Sequence, residues 1–280
     1  MIMIGMRISY QRLEQSKIKI TNKEFIELLT KNTFSEKTSF LETLVDKTLE
    51  ISNPLKRMSN DYTKAMNELD NSSEEESLPP TIYLYNTHQS EEYAPSTFIE
   101  FSINPTVIMN NYIIESILKK NGYSAIVEER SIKEILQNND WNYSYSYRAS
   151  RIYLEDSKKN YPSLEYFIDI HRDSLTKEKT TLSFEGKDYA KILFIVGLEN
   201  PNYVDNLSFT EKIHNKINEY YPNLSKGIYQ KGGYGVNGVY NQDFSPHTIL
   251  IEIGGYENTT TEVLNSSIAF TRCFLEVIHE

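Results

Sequence analysis

Three short apolar runs, each delivering a polar group, constrain this chain more than any other feature. Ile82-Tyr-Leu-Tyr-Asn-Thr-His88 and Tyr166-Phe-Ile-Asp-Ile-His171 both finish on a histidine, and far downstream Thr248-Ile-Leu-Ile-Glu252-Ile-Gly-Gly255 carries a glutamate inside the run. Each is short and rich in β-branched and aromatic residues, so each reads as a buried strand. Polar groups at the ends of such strands sit on the rim where a sheet gives way to loops, which is where α/β proteins assemble their chemistry. Two imidazoles and several carboxylates on one rim predict a metal site.

The surrounding pattern says what kind of sheet this is. From Thr81 on, strands at 82–87, 124–128 and 166–170 alternate with helices from about Thr106 to Asn121, stopped by Gly122, and from about Tyr143 to Lys159. Residues 180–196 then read as a hairpin turning at Gly186 and leading into a further strand. A helix over 203–220, a short strand near Ile228, the strand at 248–253 and a closing helix over 261–278 complete the order. Such alternation predicts an α/β fold with a mostly parallel sheet sandwiched by helices. Ahead of it, residues 1–60 read as a small helical segment: Phe25, Leu28 and Leu29 share one helical face, and Leu41, Leu44, Val45 and Leu49 share another behind a Ser39 cap. Residues 61–80 read as a solvated linker, acidic at Glu74 to Glu76 and ending in Pro79-Pro80. The folded domain is therefore expected over 81–280. Limited proteolysis should cut between Asp61 and Ser77 and leave a stable, active fragment from about Pro79 onward, whereas a fragment that unfolds would make the N-terminal helices part of the core.

Composition removes several classes of function. A net charge of -10 repels a phosphate backbone over most of the surface, which argues against nucleic acid as a partner. No stretch of 18 apolar residues is present, so no membrane span is expected within these residues. The single cysteine, Cys273, lies in an apolar helical setting and reads as a core residue. There is no Gly-x-Ser-x-Gly elbow. Gly232, Gly233, Gly235 and Gly238 lack the strand-to-helix context of a phosphate loop and are expected to form a mobile loop beside a cleft.

His88 with Glu91 three residues on, joined by His171 from a neighbouring strand, offers the two histidines and one carboxylate that catalytic zinc commonly takes, with a position left for water. Glu92 competes with Glu91 for that role. The alternative is a pair of hydrogen-bonded structural histidines. Glu252 lies between Ile251 and Ile253 and shares a face with Leu250. A buried carboxylate is costly unless it is paired, bound to metal or needed as a proton carrier, so it is either a general base and acid or a salt-bridged strand-end residue. Asp169 shares the face of His171, where it can orient that ring or be satisfied by Arg172 or a backbone amide. His247 belongs to the far end of the sheet from Glu252, and His214 and His279 are expected in solvent-exposed roles.

Taken together, Tyr85-Asn-Thr-His-Gln-Ser-Glu-Glu-Tyr93, Ile168-Asp-Ile-His-Arg-Asp173, Ile195-Val-Gly197 and Tyr240-Asn-Gln-Asp-Phe-Ser-Pro246 leading into Leu250-Ile-Glu-Ile-Gly-Gly255 resemble the stage II sporulation protein P family over about residues 80–280. That family is similar to zinc-dependent N-acetylmuramoyl-L-alanine amidases, cell-wall hydrolases with an α/β sandwich fold. Its His-x-x-Glu falls on His88 and Glu91, its Asp-x-His-Arg-Asp on Asp169, His171, Arg172 and Asp173, and its Glu-x-Gly-Gly on Glu252, Gly254 and Gly255. The resemblance implies that His88, Glu91 and His171 hold zinc and that Glu252 is catalytic, with Arg172 and Asn241 as the candidates for substrate binding. Two departures stand out: Asn86 occupies a position where the family commonly has histidine, and the acidic Glu92 follows the expected ligand.

The implied activity is cleavage of the amide joining N-acetylmuramic acid to L-alanine in peptidoglycan, during septal wall remodelling at engulfment, with endopeptidase action on cross-links. The implied partners are sporulation proteins D and M. Family members are usually anchored by an N-terminal membrane helix, so this chain is expected to be the soluble, extracytoplasmic part of an anchored protein. The competing reading is a peptidoglycan-binding scaffold with a degenerate, metal-free site, and zinc content separates the two.

Overall fold

The computed structural model describes residues 78–93 and 105–279. The helices expected in residues 1–60, the Ser39 cap and the linker up to residue 77 lie outside the described residues. Along the chain the strands are β1 (Ile82–Tyr85), β2 (Ala125–Val127), β3 (Tyr166–Asp173), β4 (Thr181–Phe184), β5 (Lys187–Ala190), β6 (Ile192–Gly197), β7 (Ser225–Lys231) and β8 (Thr248–Gly255). The helices are α1 (Ile108–Lys120), α2 (Ile132–Asn138), α3 (Ser146–Asn160), α4 (Lys177–Thr180), α5 (Tyr203–Tyr220) and α6 (Thr260–His279).

Six strands form the main sheet in the order β2-β1-β3-β8-β6-β7. Neighbours run parallel throughout except where β6 meets β8. Strands covered on both faces need apolar residues at successive positions, and the central ones have them: Ile82, Tyr83 and Leu84 in β1, Phe167 and Ile168 in β3, and Ile249, Leu250 and Ile251 in β8 are all buried. On one face Tyr83, Tyr85 and Phe167 pack against Leu154 of α3 and Leu164. On the other, Tyr166 meets Phe209 of α5 and Phe274 of α6. Each large side chain so buried stabilises the fold by roughly 1.5–3 kcal/mol. The mostly parallel α/β sandwich predicted from the alternation is the fold observed.

Departures from the predicted elements have local causes. The seven residues of α2 carry too short a periodic pattern to stand out. Its start was nonetheless marked by Ser131 and Glu134, where the Ser131 hydroxyl accepts from Glu134 N at 3.2 Å. The hairpin expected within 180–196 is present: β5 pairs with β4 around a Glu185-Gly186 turn with φ of +49° and +73°, and after Lys191 the chain enters the main sheet as β6, the further strand. β7 is seven residues rather than a short strand near Ile228. As an edge strand it is half-polar and interrupted by Gly227, which hides its period.

Register is what matters for the site. β3 and β8 align His171 with Glu252 and Asp169 with Leu250, and β6 places Leu193 against Glu252. All of these side chains therefore point to one face, the face that α3 covers. Leu193, Ile195 and Leu250 cluster there with Tyr240 and are flanked by Tyr147.

Candidate metal centre

The loop after β1 is clamped onto β3 before it delivers any chemistry. Asn86 donates to Ile170 O at 2.6 Å, and Thr87 donates to the Asp169 carboxylate through its backbone N at 2.8 Å and its hydroxyl at 2.7 Å. These bonds satisfy a fully buried aspartate and fix where His88 emerges. A turn closed by Glu91 N donating to His88 O brings the glutamate back over the histidine. Val107 N then donates to Glu91 O and ties the loop to the segment entering α1.

The result is a convergence of three side chains. Glu91 lies between the two rings, with Oε1 3.4 Å from His88 Nδ1 and Oε2 3.4 Å from His171 Nδ1, and Arg172 N donates to Oε2 at 3.0 Å. Among the described residues, His88, Glu91 and His171 form a group whose ligand atoms all lie within 4.8 Å of one another. Of the two adjacent glutamates, Glu91 is the one aimed at the histidines; Glu92 is exposed and its carbonyl accepts from Arg172 Nε at 2.7 Å.

Charge fits the same picture. Burial pushes the Glu91 carboxyl up, but hydrogen bonds from His171 and His88 outweigh it and hold the group at about 2. Burial pulls the His171 imidazole down, but the carboxylates of Asp169 and Glu91 outweigh it and raise the ring to about 10. An ion entering here would displace that proton and take over the role of positive charge between carboxylates. Two imidazole nitrogens and one carboxylate are the donor set that zinc accepts with a position left open. His171 also has the outer carboxylate that ligating histidines typically carry: its Nε2 lies 3.1 Å from Asp169 Oδ1, an ion-pair contact rather than a hydrogen bond. An Asp169→Asn substitution should therefore weaken zinc affinity about 10- to 100-fold while leaving the three ligands in place, measurable by competition with a chromogenic chelator.

Glu252 stands one strand over from His171. It is half-buried; burial raises its carboxyl and nearby Asp173 adds to that, with His171 and Lys231 opposing incompletely. Asp173 is itself paired with Lys226, whose Nζ lies 2.7 Å from Oδ2. The irregularity between Ile192 and Phe194 in the β6–β7 register falls beside Lys226, where such a bulge re-aims a side chain.

The remaining expectations fall as follows. Asp169 is satisfied by Thr87 and faces His171; Arg172 spends its guanidinium on Glu92 O and Asp173 O instead. Asn241 has φ of +56° and its amide donates to Tyr147 O at 3.0 Å and Ser150 Oγ at 2.9 Å, so it braces the first turn of α3 rather than presenting that amide to a ligand. His247 is at the opposite end of β8 from Glu252, 3.3 Å from Glu165. His214 is only half-exposed and bonds Ser225 at 2.7 Å, a packing role on β7. His279 pairs with the Tyr123 hydroxyl. Cys273 is fully buried, and burial pushes its thiol up to about 12.

The glycine-rich stretch is pinned rather than free. Glu199 accepts from Gly233 N at 2.6 Å and donates its own N–H to Gly238 O at 2.9 Å, while Asn237 caps Tyr240 N at 2.6 Å. Gly197 packs so closely on Gly238 that a side chain there would strike its carbonyl. The loop's work is to seat Tyr240 against Tyr147, at 5.4 Å between ring centres. Tyr147 in turn stands edge-on to His88 at 5.6 Å and stacks toward His171 at 6.4 Å. Nothing in the strand-end motifs points to this aromatic wall; the available signal is the alternation in Tyr143-Ser-Tyr-Ser-Tyr147 running into the start of α3.

A parallel-sheet α/β domain with two histidines and a carboxylate gathered at its rim defines a candidate metal-binding α/β protein. The family model for Stage II sporulation protein P (SpoIIP) matches residues 5–275, and the chain belongs to that family. It is 33% identical over 204 residues to the Stage II sporulation protein P of Bacillus subtilis (strain 168), a match covering 70% of this chain and 50% of that protein. The chain thus spans about half the length of the curated relative it matches. Among solved structures it is similar to the N-acetylmuramoyl-L-alanine amidase AmiC2 of Nostoc punctiforme, at 11% identity and a TM-score of 0.39 over 71% of this chain and 98% of that one. It is also similar to the CwlD amidase from Clostridioides difficile solved with the GerS lipoprotein, at 9% identity and a TM-score of 0.43 over 70% and 94%. A third similar structure is Cwp6 from Clostridium difficile, at 13% identity and a TM-score of 0.44 over 71% and 29%.

Proposed function

We propose that this chain is a zinc-dependent peptidoglycan hydrolase that cuts the amide between N-acetylmuramic acid and L-alanine in sporulation. The observation that carries the proposal is the convergence of His88, Glu91 and His171 beside a half-buried Glu252 on the same sheet face. When bound, zinc supplies a Lewis acid and an acidified water. Within that frame His88, Glu91 and His171 would hold the ion, with the Asp169 carboxylate beside His171 Nε2 and the Glu91 carboxylate beside Nδ1. Glu252 takes the proton from the attacking water and passes it to the departing amine, a double role suited to a carboxyl whose basicity is raised by its surroundings. Tyr147, seated by Asn241 and Tyr240, closes the wall of the cleft, and Arg172 fixes the Glu91-Glu92 backbone at its mouth.

Membership of the sporulation family supports the biological setting, and the resemblance drawn from the sequence supports the bond cleaved. Endopeptidase action on cross-links and work beside sporulation proteins D and M belong to the same proposal. So does an extracytoplasmic location at the septum; among the described residues no helix is long and apolar enough to cross a membrane. The test is digestion of purified peptidoglycan with protein of known zinc content. Release of intact stem peptides, with new N-terminal L-alanine, is expected. If zinc-loaded protein binds the wall and releases none, the scaffold reading replaces this one.

A further inference from the structure

Beside the histidines lies a ring that the proposed chemistry does not use. Tyr143 stacks on the His88 imidazole at 4.8 Å between centres and 24° between planes, yet it is 55% exposed. One face covers a proposed ligand and the other is open. The ring is also held still. It sits in a 3-10 turn, Tyr143–Tyr145, whose first residues are capped by Asn142 Oδ1 accepting from Ser144 N at 2.9 Å. Ser146 Oγ donates to Tyr143 O at 2.7 Å. Trp141, two residues back, is committed elsewhere: it packs on the small core between α2 and α3, stacks with Tyr145 at 5.5 Å and carries Arg148 over its ring.

A flat, preorganised aromatic face with an open side costs little entropy to use. What stacks on it lies one ring away from His88, so it adjoins the bond to be cut. That bond has a pyranose on one side and a peptide on the other. The opposite flank of the site settles which side faces Tyr143. The β6–β7 register, Ile195 with Tyr229 and Gly197 with Lys231, puts Lys231 on the same sheet face as Glu252 but on the far edge strand and four residues along from the Leu193–Glu252 pair. Nearer the rim, Lys226 reaches from the start of β7 to Asp173, two residues past His171 on β3. An ionic flank suits a peptide bearing carboxylates, and a neutral aromatic plane suits the C–H face of a sugar.

Resting on the hydrolase reading above, we infer that Tyr143 is a glycan-binding residue, stacking on the muramic acid ring so that the strand runs over the β1 side of the sheet and the stem peptide toward β7.

The test uses the full zinc-loaded chain and two probes that cannot be cleaved at the proposed bond: peptide-free glycan strands and the free stem peptide. Tyr143→Ala should weaken glycan binding about tenfold, while Tyr143→Phe, which keeps the ring, should stay within about threefold of the parent. Stem-peptide binding and zinc content should be unchanged in both. Glycan binding at parental strength in the alanine variant overturns the inference. So does loss of zinc and of both probes together, because Tyr143 would then only support His88. Stem-peptide release is scored apart from binding: glycan binding that depends on Tyr143 without any release by the parent sinks the hydrolase reading and leaves the glycan contact, and release with glycan binding indifferent to Tyr143 does the reverse.

Discussion

His171→Ala is expected to leave the purified protein with almost no zinc, against close to one equivalent in the parent, and to abolish hydrolysis with it. The size of the effect follows from position. His171 is the fully enclosed member of the trio, 4% exposed on a central strand, so no solvent-borne group can replace it, whereas His88 and Glu91 sit at the open side. The fold should survive, because Asp169 keeps the two bonds from Thr87 when the ring is gone. Metal analysis of the dialysed protein, alongside a thermal melt, checks both halves. Glu92→Ala is the matched control: its side chain is exposed and is not part of the trio, so zinc should stay bound. A His171→Ala protein that keeps its full zinc content sinks the assignment, and zinc lost from the Glu92 variant instead would move the carboxylate ligand by one residue.

The sequence made much of this centre legible, for a physical reason. Buried strands write themselves as short apolar runs, and a polar group inside or just after one has few explanations. That is how His88, His171, Asp169 and Glu252 came into view without coordinates, and the parallel pairing of β1, β3 and β8 then aligned them. The choice between Glu91 and Glu92 was not legible. It depends on a turn in which Glu91 N donates to His88 O and on the bond from Arg172 N to Glu91, and backbone bonds of this kind leave no residue pattern. The role of Asn241 was not legible either. Its motif drew attention, but a left-handed asparagine whose amide braces a helix looks the same in a sequence as one that meets a ligand. The tyrosines around the site were obscured by abundance, since a chain with 21 of them gives no reason to single out Tyr143, Tyr147 or Tyr240. Only their stacking on the two imidazoles and on each other does that.

Glu252→Gln is expected to separate the proposed catalysis from everything else the site does. The substitution keeps the size and reach of the side chain and removes its basicity, so hydrolysis should fall by a factor on the order of 100 or more while zinc and wall binding persist. The fold has little reason to object. The carboxyl is half-buried beside another acid, Asp173, and neutralising it removes that repulsion along with its attraction to His171 and Lys231. Stability within about 1 kcal/mol of the parent is expected, because a half-exposed group contributes little net charge energy. Release of stem peptides is to be measured with matched zinc occupancy in both proteins, since a loss of metal would mimic a loss of base. If the glutamine variant cleaves at the parental rate, Glu252 is a structural residue of β8. The proton must then move through another group facing the cleft, and Asp173, held 2.7 Å from Lys226 on the same flank, becomes the first to replace.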